Sequence, residues 1–397
     1  MKLNWVIGAA GSLQPWLRWR RGLPAVLVTC GLISSAVGGG AGQRLVAWGD
    51  TNYDLAITTS GSGKLARISA GSFHSLALTS GGAVACWGDD TFNQTNLPAA
   101  LGSKPVVAIA AGNIHNLVLC DDGAVVAWGP SGGMYDYGQC QVPPNLGAVV
   151  SIAAGAVHNL VLRLDGTVAA WGPVGGPYDF GQSSVPAGLD SVMAIAAGMY
   201  HSAALRRDGT VAAWGRNDHG EASVPAGLKN VVAIAAGGYH SLALTSDGRV
   251  VSWGAYGLAQ CDVPTGLSNV VAIATADQHS LALKRDGSLV AWGFNTSGQC
   301  AIPPGLTNIV AIAARTKHSL VLTEEPASVV SELRIVPSRG ALEVSWPQTT
   351  DQLALEQSTT LQSPHWTPAG FSPQLVGARN AVLVPASGSM FFRLVRR

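Results

Sequence analysis

Val231-Val232-Ala233-Ile234-Ala235-Ala236-Gly237-Gly238-Tyr239-His240-Ser241-Leu242-Ala243-Leu244-Thr245-Ser246-Asp247-Gly248-Arg249-Val250-Val251-Ser252-Trp253-Gly254 is the stretch on which the fold turns. Val231 to Ala236 is a short apolar run rich in β-branched residues, His240 to Thr245 alternates, and Arg249 to Trp253 follows an Asp247-Gly248 turn signal. No segment carries a helical period. The unit therefore reads as short antiparallel strands joined by tight turns, with about four strands expected per unit.

The same unit returns along most of the chain. Trp-Gly recurs at 48–49, 87–88, 128–129, 171–172, 214–215, 253–254 and 292–293, at spacings of 39, 41, 43, 43, 39 and 39. Seven copies are marked by Trp48, Trp87, Trp128, Trp171, Trp214, Trp253 and Trp292. Histidine keeps the same rhythm at His74, His115, His158, His201, His240, His279 and His318. Asp-Gly recurs at 122–123, 165–166, 208–209 and 286–287, where a two-residue hairpin asks for positive φ at both turn positions. A unit of about 40 residues cannot bury both faces of its small sheet alone, so it must stack on copies of itself. A solenoid and a sandwich are the alternatives, and the chain ends favour a closed ring. Arg44 to Gly49 supplies a Trp-Gly strand with no histidine segment before it, and Ile309 to Thr323 supplies a histidine segment with no Trp-Gly strand after it. Joining them completes a seventh blade and removes the free sheet edges. The expected fold is all-β: a seven-bladed β-propeller over residues 43–325, closed by its N- and C-terminal strands, then a small β-sandwich module over 326–397.

These units resemble repeats of the regulator of chromosome condensation family: Val231 to Gly237, His240-Ser241-Leu242-Ala243-Leu244, Asp247-Gly248 and Trp253-Gly254 carry the likeness over about residues 43–325. The spacing and the tail Gly298-Gln299-Cys300-Ala301-Ile302-Pro303 look closest to the short bacterial form, that of a secreted β-lactamase inhibitory protein of this fold. The resemblance implies a propeller and a binding role. The nucleotide exchange of the nuclear members depends on loops that have no match here, so it is not carried over.

The chain is 47% hydrophobic and 12% charged with 49 glycines, which describes a compact, turn-rich protein. A net charge of +1 without a basic run argues against nucleic acid as partner. Arg18, Arg20 and Arg21 precede an apolar stretch from Leu23 to about Val37 that ends in Gly38-Gly39-Gly40-Ala41. Residues 1–41 read as a signal peptide, with an uncleaved anchor as the alternative; the expected location is secreted or at the cell surface, with no membrane insertion after cleavage. Arg20-Arg21 leaves twin-arginine export open beside the general route, and Cys30 lacks the small preceding residue of a lipoprotein signal. The cysteines show no zinc-type spacing; Cys140, Cys261 and Cys300 read as fillers, and whether Cys86 and Cys120 pair stays open.

After Glu325 the repeat stops. Leu333 to Val336, Leu342 to Trp346 and Leu353 to Glu356 alternate, and Leu-x-Val-Ser-Trp followed by Leu-x-Leu-Glu-x-Ser resembles a compact fibronectin type III-like sandwich with Trp346 as its core tryptophan. Met390 to Leu394 would be its last strand, and the module reads as a spacer or attachment unit.

Seven repeated histidines and seven repeated tryptophans argue for structure over chemistry, since a reaction needs its residue once or twice. Each His is expected to bond backbone groups at both ring nitrogens where blades meet, and each Trp to fill space between blades. Asp89-Asp90 and Asn217-Asp218-His219 read as turn formers, with cation binding as the alternative. No Gly-x-Ser-x-Gly elbow, His-Glu-x-x-His helix, phosphate-cradling loop or calcium loop is read from the sequence, so no catalytic residue, metal or cofactor is expected. One departure from the repeat stands out: Gly129 to Gly138 and Gly172 to Gly181 are longer loops in adjacent units, each with an aromatic-Asp-aromatic tip. Tyr135, Asp136, Tyr137, Tyr178, Asp179 and Phe180 are the candidate binding residues, against the alternative that their rings only pack on the rim. The function expected is that of an exported, monomeric binding module for a protein or a glycan. An inhibitor of a secreted enzyme is the runner-up, and a propeller hydrolase or lyase the rival.

Overall fold

The computed structural model describes residues 43–50, 64–254 and 257–324 with their side chains, and the backbone of the strands between 334 and 396. The signal-peptide reading of residues 1–41 lies outside the described residues.

Each repeat folds as an antiparallel sheet of three strands, here called inner, middle and outer. They are Leu65–Ala70, His74–Thr79 and Val84–Gly88 in blade I, and Val106–Ala111, Asn116–Cys120 and Val125–Trp128 in blade II. Blade III comprises Val149–Ala154, Asn159–Arg163 and Val168–Trp171, and blade IV Val192–Ala197, His201–Arg206 and Val211–Gly215. Blade V comprises Val231–Ala236, His240–Thr245 and Val250–Gly254, and blade VI Val270–Thr275, His279–Lys284 and Leu289–Gly293. Blade VII joins both ends of the repeat region: Ile309–Arg315 inner, His318–Glu324 middle, and Gln43–Gly49 outer, paired from Gln43↔Glu324 to Gly49↔His318. The inner strands neighbour one another all the way round the axis, blade VII against blade I included.

Among the described residues, none of the segments that follow Gly88, Gly129, Gly172, Gly215, Gly254 and Gly293 forms the expected fourth strand. These six segments carry prolines such as Pro98, Pro186, Pro225, Pro264 and Pro303, which lack the N–H a ladder needs, so they run mainly as turns. The Asp-Gly turns also differ from expectation. Only the glycine takes positive φ, as at Gly123 (+82°) and Gly166 (+84°). Gly123 N–H donates to the Cys120 carbonyl and Cys120 N–H to the Ala124 carbonyl, which is a three-residue turn with a glycine bulge. The extra residue lets Asp122 Oδ1 accept the Ala124 N–H at 2.9 Å instead of holding a strained backbone.

Seven apolar cores lie between neighbouring blades, one per contact. Leu160 and Leu162 of blade III, for example, pack with Ile195 and Ala197 of blade IV. The closing strand is buried on both sides: Leu45 and Ala47 join Leu65, Ile68 and Ala77 of blade I, while Val46 and Trp48 join Ala272, Leu281 and Leu283 of blade VI. The period-2 alternation of four residues thus welds two contacts.

Two faces result. The upper face carries the inner-to-middle turns and the loops after Trp-Gly, because each repeated histidine pairs with that glycine, as in His74↔Gly88 and His201↔Gly215. The lower face carries the Asp-Gly turns and the start of each inner strand. There a register shift at the second residue, seen from Leu65/Arg67 to Ile309/Ala311, turns out Val107, Val150, Met193, Val232 and Val310.

Beyond the propeller, Arg334–Ser338, Ala341–Pro347, Arg379–Pro385 and Gln374–Val376 form one antiparallel sheet, in that order, and Thr367–Pro368, Leu353–Ser358 and Phe391–Arg396 another. The side chains of this module, Trp346 among them, lie outside the described residues. Cys86 and Cys120 are free and share the core between blades I and II; burial pushes the Cys86 thiol up to about 12.

Candidate functional site

The repeated histidines form a relay from blade to blade. His158 Nε2 lies 2.9 Å from Ser202 Oγ, that hydroxyl donates to the Gln182 carbonyl at 2.9 Å, and the same carbonyl accepts Trp214 Nε1–H at 2.9 Å. Because the hydroxyl spends its hydrogen on the carbonyl, it accepts from the ring, so the imidazole carries its proton on Nε2. His201 and His240 repeat this with Ser241 and Ser280, His279 repeats the histidine and hydroxyl steps with Ser319 while Trp48 Nε1 has no partner among the described residues, and His74 and His115 use Asn116 and Asn159. The expectation of two backbone partners is thus corrected: in six of the seven, Nε2 reaches a side chain of the next blade, whereas His318 Nε2 has no hydrogen-bond partner among the described residues, nor has Nδ1 of His74, His115, His158, His201 and His240. Nδ1 instead faces glycine; a Cβ on Gly112 would stand 2.2 Å from His115 Cε1. Burial is the main cause that lowers these imidazoles, to about 4 for His74 and His115 and about 3 for the others. They are neutral struts at neutral pH. His240→Ala strands Ser280 and is expected to cost about 1–3 kcal/mol in a urea titration, with binding unchanged once the variant is folded.

The two long loops hang from this relay. The Gln139 carbonyl receives Asn159 and Trp171, while its side chain accepts the Tyr137 N–H at 2.6 Å and donates to the Tyr135 carbonyl at 2.7 Å. Gln182 does the same for Phe180 and Tyr178. Asp136 accepts the Gly132 and Gly138 amides at 2.7 and 3.0 Å, and Asp179 the Gly175 and Gly181 amides at 2.6 and 3.0 Å. These amides hold the Asp179 carboxyl below the usual carboxylate range. The two aspartates, candidate contact residues by sequence, brace their loops. The polar side chains of the tips are spent on the loop itself.

The rings they hold join an arc across blades I to V. Phe92 meets Tyr135 at 4.9 Å between centroids, Tyr137 meets Tyr178 at 5.0 Å, and Tyr178 stacks on Tyr200 at 6.0 Å. Phe180 meets Tyr200 at 5.3 Å and His219 meets Tyr239 at 5.4 Å. Arg216 joins the run: its guanidinium carbon lies 5.7 Å from the Phe180 and Tyr200 centroids and 4.7 Å from that of Tyr239. Behind it, buried Glu221 stands where the other repeats have Gln94, Gln139, Gln182, Gln260 and Gln299, and its Oε1 lies 3.4 Å from Arg216 Nε. Each of the four candidate rings therefore packs on another ring of the arc, with Tyr135, Tyr178 and Phe180 exposed and Tyr137 half-buried.

Sequence reading missed Phe92, Tyr200, Arg216, Glu221 and Tyr239. Two signals were available. Tyr200 and Tyr239 precede the repeated histidine in neighbouring units, where Val157 and Gln278 stand on either side, and Glu221 breaks a run of glutamines.

Asp89 and Asp90 serve the turn, accepting from Thr91, Gln94, Thr95 and Asn96. No metal-type cluster occurs among the described residues. Gly129 to Gly133 spells Gly-x-Ser-x-Gly, but no helix follows Ser131, so the strand-turn-helix elbow of that pattern is not built.

A family profile described as Regulator of chromosome condensation (RCC1) repeat matches residues 66–94, 193–221, 231–255 and 270–299. No curated protein matches the chain. Among solved structures, that of Prp20p from Saccharomyces cerevisiae, described with its binding to Gsp1p and histones, is 19% identical at a TM-score of 0.61 and covers 75% of this chain and 94% of its own. Yeast RCC1 (Prp20) bound to Kap60 also gives 0.61 at 19% identity, over 80% of this chain and 97% of that one. Human WBSCR16 gives 0.56 at 19%, over 72% and 99%. At such identities the likeness shows the fold. With seven three-stranded blades closed by the first strand, the body of this chain is a propeller of the regulator of chromosome condensation type, with the repeat profile matched in four of its segments.

Proposed function

We propose that the propeller is a protein-binding module that takes its partner on the upper face, over the ring arc of blades I to V. The observation that carries this reading is the chemistry of the loop tips. They expose large apolar side chains, Met134 at 79% and Val174 at 96%, beside the rings. Exposed aromatics and Met on a stiff scaffold are the anchors of protein interfaces. A glycan needs hydrogen-bonding side chains beside the stacking ring, and Asp136, Asp179, Gln139 and Gln182 are already occupied. Prp20p, which shares the fold, binds proteins, and this supports the same class of partner here. Export, and a spacer role for the C-terminal module, complete the reading on the strength of the sequence.

The test begins with a partner recovered from envelope or culture medium by the full chain and titrated against variants. Replacing Tyr135, Tyr137, Tyr178 and Phe180 by alanine is expected to weaken binding at least 30-fold, or ~2 kcal/mol. It also lowers stability, because ring pairs contribute ~0.5–1.5 kcal/mol each. Met134→Ser with Val174→Ser separates the two effects: these tips touch little, so the melting temperature should hold while affinity falls. Full affinity in both variants would sink the rim as the binding surface.

A further inference from the structure

We propose that the axial mouth on the upper face is a carboxylate-binding site built on Arg315. Arg315 stands at the end of the inner strand of blade VII, where blades I to V have Gly71, Gly112, Gly155, Gly198 and Gly237 and blade VI has Ala276. In place of a missing side chain, this one blade extends the longest cation available. Arg315 is 2% exposed, and its side chain crosses the axis. Nη2 donates to Asn113 Oδ1 of blade II at 2.7 Å, and Nη1 lies 3.5 Å from the Ala154 carbonyl of blade III. Such a span is open only to a side chain in the channel, because blade I lies between blades VII and II along the ring.

The guanidinium is incompletely satisfied. Its partners are neutral dipoles. Among the described residues its buried Nε has no acceptor and it makes no ion pair, although Lys64, Lys104, Arg216, Arg249 and Lys284 each hold a carboxylate within 4 Å. A buried cation without a counter-charge is costly, and the cost falls if an anion completes it. Asp277, on the turn of blade VI, is the acidic group whose charge reaches Arg315. Burial raises its carboxyl pKa, opposed by Arg315 and by Thr316, and it stands beyond ion-pair distance. The groups facing the mouth are thus Arg315, Asn113, Asp277 and Thr316. The planar fork of a guanidinium matches the two oxygens of a carboxylate, and the Asn113 amide can donate beside it. One cation next to one aspartate suits a monovalent anion, which favours carboxylate over phosphate. The carboxylate can belong to a small solute or to the chain end of a bound peptide, and the site does not depend on the ring arc.

The test uses the full chain with ¹⁵N-labelled arginine, the Arg315 Nε–H signal being assigned by its loss in Arg315→Lys. Acetate is titrated at constant ionic strength held with fluoride, and acetamide is the control. A saturable shift of that signal with acetate and none with acetamide is expected. Asp277→Asn removes a competing negative charge, so it should tighten acetate binding about fivefold. A second arm compares N-acetylglycylglycine with its amide: binding of the acid assigns the mouth to a peptide chain end, and binding of acetate alone assigns it to a small solute. The proposal is overturned if the Arg315 signal does not move up to about 100 mM acetate, an affinity too weak for a built site, or if Asp277→Asn lowers the melting temperature without tightening acetate. In the second case Asp277 would itself be the counter-ion.

Discussion

Between about pH 6 and pH 5 the propeller is expected to unfold cooperatively, with uptake of about seven protons. The cause is the relay. An imidazole in the unfolded chain titrates near about 6.5. In the folded blades burial holds His74 and His115 at about 4 and His158, His201, His240, His279 and His318 at about 3. Well above that unfolded value both states are neutral, and the stability is complete. As pH falls through it the unfolded chain binds protons that the folded one refuses, so stability drains away until pH reaches the folded values. A tenfold difference in proton affinity corresponds to about 1.4 kcal/mol, so at about pH 5 each histidine has withdrawn about 2 kcal/mol. Seven of them approach ~14 kcal/mol, which is the size of a whole domain's stability. Urea midpoints measured from about pH 8 to about pH 4.5 read the slope directly. His240→Gln should lower the proton count by one. A midpoint that stays level from neutral pH down to about pH 5 would refute the buried, neutral relay.

Deleting Arg44 to Gly49 from the chain is expected to be nearly as severe. These residues cap the middle strand of blade VII along its length, so the deletion bares a row of backbone groups as a free edge. It also opens two cores, because Leu45 and Ala47 serve the contact with blade I while Val46 and Trp48 serve the contact with blade VI. Full burial of side chains of this size contributes ~1.5–3 kcal/mol each, so the loss exceeds ~5 kcal/mol before the ladder is counted. The melting temperature should collapse and the protein should aggregate. A synthetic peptide of residues 43–50 added in trans should restore part of the transition, since a strand added at an open edge regains the same hydrogen bonds. A deletion that melts like the parent would show that the ring does not depend on this strand.

Some of this was legible in the residues alone. Trp-Gly and His at a period near 40 residues, with complementary halves at the two ends, required seven equivalent blades and a joint between Arg44–Gly49 and Ile309–Thr323. A period is a one-dimensional property: identical units bury identical faces by stacking, and complementary half-units at the two ends favour closing the stack into a ring. The number of strands per blade was not legible, because the fourth segment fails as a strand through prolines and turn bonds whose partners lie elsewhere in the same loop. The tertiary structure alone decided how polar groups find one another across blades. That Asp136 and Asp179 brace their own loops by accepting glycine amides shows only in the structure. Tyr200, Arg216 and Tyr239 joined Tyr178 and Phe180 because the ring sets turns and loops of successive blades side by side. Arg315 became an axial residue because its bonds to Asn113 and Ala154 span 202 and 161 positions of chain. Repetition written in a chain determines which positions are equivalent, whereas contacts across a closed ring join positions that are not, and those exist only once the ring has formed.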